Sequence, residues 1–93
     1  MANTAELIVK ECEHLKCMLL DKNRRYGDSA ITPARIFSKA SPVEQILVRI
    51  DDKISRIKTS AEGEDEDVIM DLMGYLILLR IAKTKAKEVQ QGE

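Results

Sequence analysis

Between Val68 and Ala82 only Asp71, Gly74, Tyr75 and Arg80 interrupt an otherwise apolar run. A helix apolar on nearly every side must be covered on nearly every side. The chain has 93 residues, and the two other helical patterns in it are too short to enclose this one. The expected architecture is therefore all-α, with three main helices assembled into a homo-oligomeric helical bundle.

Ninety-three residues make a single domain, 1–93, near the lower limit for burying a useful core. With one Phe, two Tyr and no Trp, that core must be aliphatic. No run of 18 apolar residues exists and the first residues lack a basic-then-apolar leader, so a cytoplasmic protein without membrane contact is expected. Cys12 and Cys17 lie roughly 500° apart around a helix at about 100° per residue, which favours two separate reduced thiols. The net charge of −1 conceals six acids without a base in residues 61–71. No sustained basic face or aromatic series suits direct nucleic-acid binding.

Local signals set the helix boundaries. Asn3 and Glu6 form a capping pair ahead of Ile8, Cys12, Leu15 and Leu19, which gives a first helix over 4–24. Gly27 offers a left-handed stop, and Thr32-Pro33 reads as the cap of a short helical turn near 33–39. Ser41-Pro42-Val43-Glu44 is the clearest signal: the serine accepts from the fourth amide, and the proline needs no donor at the first position. The second helix, 42–60, follows, with Val43, Ile46, Leu47, Ile50, Ile54 and Ile57 on its apolar face. The third is expected over 64–88, acids first and lysines last as the helix dipole prefers, with 83–93 a frayed tail.

Three polar features stand out against the apolar faces. Arg49, Asp52, Lys53 and Arg56 follow helical spacing on one face of the second helix, suited either to internal ion pairs or to a phosphate. Glu64, Asp67 and Asp71 follow the same spacing on the third. Asp71 sits between Met70 and Leu72, where an ionised carboxylate needs a cation, a metal or several donors. Its partner is Lys53, Arg56 or Arg49, or else Asp52, Glu64, Asp67 and Asp71 together hold Mg²⁺, which prefers carboxylate oxygens and often carries a substrate phosphate. The third feature is Lys22-Asn23-Arg24-Arg25-Tyr26-Gly27-Asp28-Ser29, either a plain helix terminus or cations and a tyrosine closing over a nucleotide. Gly74, one turn past Asp71, removes a side chain where another helix, or else a ligand, can approach closely. The lone His14 rules out a histidine-based metal cluster or triad, and no glycine-rich phosphate loop is present.

The order Lys22-Asn23…Tyr26-Gly27-Asp28-Ser29, then Arg49…Asp52-Lys53…Arg56, then Glu66-Asp67…Asp71-Leu72…Tyr75 resembles small phage and prophage proteins related to the nucleotide-modification-associated domains. More distantly it is similar to the all-α nucleoside triphosphate pyrophosphohydrolases of the MazG and dimeric dUTPase type. The resemblance spans residues 6–82 and implies a bundle built from two or more chains. It also implies a nucleotide held by Mg²⁺ and basic side chains in a cleft between helices. Glu64-x-x-Asp67 matches one carboxylate element of those enzymes, but their Glu-Glu-x-x-Glu cluster is reduced here to Asp51-Asp52.

The leading expectation is a MazG-like protein that binds a nucleotide or other phosphate-containing small molecule. Lys22, Asn23, Tyr26, Arg49, Lys53 and Arg56 bind it, with Mg²⁺ on Asp52, Glu64, Asp67 and Asp71 where NTP pyrophosphohydrolase activity is retained. The alternative is a non-catalytic phage accessory protein that binds a host protein or sequesters a signalling nucleotide, its polar stripes serving as ion-pair seams.

Overall fold

Capping side chains decide where each helix starts. In the computed structural model, which describes residues 1–59 and 67–91, the chain forms α1 (Thr4–Tyr26), α2 (Pro42–Thr59) and α3 (Val68–Gln91). The Glu6 amide donates to Asn3 Oδ1 at 2.9 Å, and the Glu44 amide donates to Ser41 Oγ at 3.2 Å, so both expected caps form. Pro42 takes the first position of α2, where no backbone donor is missed. Gly27 ends α1 with φ 67°, a conformation that would strain any side chain. Among the described residues no helix is long and apolar enough to cross a membrane.

Two boundaries differ from expectation. The short helical turn near 33–39 does not form. Thr32 does not cap it, because its Oγ1 donates backwards, to the Asp28 carbonyl at 3.0 Å and to Asp28 Oδ2 at 2.9 Å. The Ile31 and Thr32 amides also converge on the Asp28 carbonyl, so the turn closes at 28–32 instead. Arg35, at φ 55°, then holds a left-handed conformation that a right-handed turn cannot include. At α3, the Met70 amide donates to Asp67 Oδ1 at 2.9 Å and the Asp71 amide to the Asp67 carbonyl at 3.0 Å. Asp67 is thus the cap of α3 and not a member of its first turn. The expected start at Glu64 lies outside the described residues. α3 continues to Gln91.

Packing is uneven. α2 and α3 lie against one another through Ile46, Ile50 and Ala82, with Val43, Leu47, Leu72, Tyr75 and Leu79 around them. Each fully buried aliphatic side chain there stabilises the fold by about 1.5–3 kcal/mol. α1, by contrast, contains no buried residue at all. It meets α3 where Gly74 removes a side chain. A Cβ added at Gly74 would stand 3.0 Å from Leu19 Cδ2 and 3.2 Å from Met18 Cε. The glycine therefore sets the distance at which the two helices cross.

Two substitutions at this crossing should separate its terms. Gly74→Ala gains about 1 kcal/mol of helix propensity and presses only on the flexible ends of Leu19 and Met18, so its stability should stay within about 1 kcal/mol of wild type. Gly74→Leu should lose about 1–3 kcal/mol by overpacking. Denaturant unfolding checks both, and an equal loss for the two would mean that no close crossing exists.

Candidate functional site

The crossing of α1 over α3 and the 28–34 segment enclose a cavity of about 570 Å³ against the first half of α2. That size suits a ligand of nucleotide dimensions. Its wall is mixed. Leu19, Ile31, Ile46 and Leu78 supply an apolar floor, and the rings of Tyr26 and Tyr75 add planar surface. Lys22, Asn23, Arg49 and Asp71 supply polar groups. Five of the ten residues expected to form a site thus share one cavity, drawn from all three helices.

Asp71 holds this arrangement together. Its Oδ1 lies 3.3 Å from Lys22 Nζ of α1, and its Oδ2 lies 3.6 Å from Lys53 Nζ of α2. The carboxylate is 21 % exposed, Lys53 is 14 % exposed and Lys22 is half exposed. Among the partners considered for Asp71, Lys53 is realised, and Lys22 joins it from a helix that spacing alone could not connect. Two lysines share one carboxylate here, and one of them, Lys22, borders the cavity. Arg49 is the second cation of the wall, and it makes no ion pair among the described residues. Asp28, the other acid of the wall, accepts from Thr32 and organises the turn.

The remaining expected residues that are described, Asp52, Lys53, Arg56 and Asp67, do not line the cavity. Asp52 accepts from Arg56 Nε at 3.1 Å along the exposed side of α2, which makes that pair a helix-surface contact one turn in length. Asp67 is committed to capping α3, and Glu64 lies outside the described residues. Among the described residues no three acid, histidine or cysteine side chains gather closely enough to hold a metal ion. Of the carboxylates named for Mg²⁺, the three described ones are engaged separately: Asp71 by Lys22 and Lys53, Asp52 by Arg56, and Asp67 by the α3 terminus.

Reading the chain residue by residue missed Tyr75 and Gln45. Tyr75 was noted as a break in an apolar run and as the end of the family-like motif but not as a site residue, and its helical offset of four from Asp71 could have placed it beside the cavity. Gln45 borders the cavity while its Nε2 donates to the Ala40 carbonyl at 2.8 Å, pinning the segment that enters α2. No local pattern announces that role. Tyr26 was expected and is present, exposed, with the Arg25 guanidinium 5.4 Å from its ring centroid.

The ion-pair node can be tested directly. Asp71→Asn removes the carboxylate that Lys22 and Lys53 share across three helices and should lower stability by about 1–3 kcal/mol. Asp52→Asn removes an exposed pair and should change it by less than about 0.5 kcal/mol. Thermal melts of both variants check this, and equal melting temperatures would remove Asp71 from the centre of the fold.

No family model matches the chain, and no curated protein and no solved structure matches it significantly.

Proposed function

We propose that the cavity captures a nucleotide, or another small molecule that joins a phosphate to a planar ring, and that the working unit is a homo-oligomer. The observation that carries the reading is the presence on one wall of two cations, Lys22 and Arg49, with two aromatic rings, Tyr26 and Tyr75. A guanidinium offers paired donors to phosphate oxygens, and an ammonium offers a compact charge beside it. In this reading Arg49 and Lys22 take the phosphate, with Lys53 supporting Lys22 through their shared carboxylate. Tyr26 stacks on the ring, as tyrosine does on the face of a base. Asn23 and Gln45 supply hydrogen-bonding groups at the edge of the same space.

Capture is favoured over turnover by the state of the acids. Metal-assisted hydrolysis needs carboxylates directed at a shared ion and an activated water. Asp71, Asp52 and Asp67 each have another occupation, described above. Mg²⁺ enters this reading as a companion of the nucleotide phosphates and not as a resident of the protein.

A thermal-shift screen against nucleoside mono-, di- and triphosphates and cyclic nucleotides, with Mg²⁺ and with EDTA, tests the proposal. One class should raise the melting temperature by roughly 10 °C at a hundredfold excess over its Kd, since a ligand bound only by the folded state stabilises it. Arg49→Ala should abolish that rise while leaving the ligand-free melting temperature unchanged. Binding should persist in EDTA. Release of pyrophosphate would move the reading to hydrolysis, and no shift with any nucleotide would replace it with a protein-binding role.

A further inference from the structure

We infer that a second copy of this chain seats on the outer face of α3, and that the N-terminal half of α1 is the element it contributes. This deepens the homo-oligomer reading and is independent of what the cavity binds, so a failed nucleotide screen leaves it standing.

Surface area gives the first argument. A compact folded monomer of this mass should expose about 5,400 Å², whereas the chain exposes 7542 Å². The excess is about 2,000 Å² per copy, on the scale that obligate homodimers remove from water. The second argument is where that excess is apolar. Ile69, Leu76, Ile77 and Ile81 are 61 %, 45 %, 37 % and 41 % exposed. They share the side of α3 turned away from α2, since the α2-facing side carries Leu72, Tyr75, Leu79 and Ala82. The third argument is α1. Its contacts with α3 gather around Met18, Leu19 and Lys22, and Leu7 and Ile8 remain 49 % and 57 % exposed. An isolated helix of this length is marginal in water, so its free half needs covering to persist.

Charge chooses a second copy over an unrelated partner. Glu6, Glu11 and Glu13 outnumber Lys10 and leave residues 4–14 of α1 net acidic, although Glu13 also pairs with Lys16 at 3.5 Å, while Arg80, Lys83, Lys85 and Lys87 outnumber Glu88 and leave the second half of α3 net basic. Within one copy their helices meet only near Gly74. Between two copies related by a two-fold axis, each acidic half meets the other's basic half, and the contact occurs twice.

Light scattering and hydrogen exchange test this on the intact protein. At micromolar concentration the mass should be a multiple of the chain mass, and the amides of residues 4–14 should exchange slowly, then faster on dilution. Leu76→Glu and Ile8→Glu should each yield the single-chain mass, while Val48→Glu, on the exposed outer side of α2, should leave the assembly intact. A wild-type monomer, or an assembly that survives both variants in folded form, overturns the inference. Should the variants unfold, the wild type decides: exchange at residues 4–14 that is independent of concentration overturns it, and dilution-dependent exchange supports it.

Discussion

One carboxylate ties the three helices together. Asp71 emerges from the most apolar segment of the chain, where an ionised group must be compensated, and it receives a lysine from α1 and another from α2. Hydrophobic contact alone would align α2 with α3 and leave α1 free to slide, since apolar packing is non-directional. The Lys22 contact fixes the register of α1. Gly74, a single turn further along α3, fixes its distance. Together they define both the position of the crossing and the cavity under it.

The same node gives the cavity its electrostatic character. Lys22 lines the wall beside Arg49, so two cations border the space next to the Asp71 carboxylate. Lys22 therefore has two places in the molecule: it holds α1 to α3, and it lines the cavity. A ligand phosphate arriving at Lys22 would act on the element that positions α1, coupling occupancy to the attachment of that helix.

Much of this was legible in the amino-acid order, and the reasons are local. Asn3 with Glu6, and Ser41-Pro42-Val43-Glu44, specify helix starts through contacts within four residues, and both form. The period of apolar residues named the α2 face that is buried through Ile46 and Ile50. Thr32-Pro33 misled because a threonine can accept from the following amides or donate to the preceding carbonyl. Only the position of Asp28 decides between them. Asp67 misled in a related way, since an acid at helical spacing and an acid at a cap look alike. Lys22 and Arg49 were named as phosphate ligands from separate segments, but that they share a wall with Tyr75 follows from the helix crossing, which no short window contains. Asp67 and Asp71, a helical step apart, have different partners, the first a helix terminus and the second two lysines.

The weak attachment of α1 bears on how the chain reaches its final form. α2 and α3 are consecutive and bury most of the core against each other, so their pairing closes a short loop and is the inexpensive step in chain entropy. α1 must then find Gly74 and Asp71 across a separation of about fifty residues. The molecule should accordingly fold as a helical hairpin that later recruits its first helix. The 28–32 turn, held by hydrogen bonds within five residues, stands between α1 and that hairpin and can form before they meet.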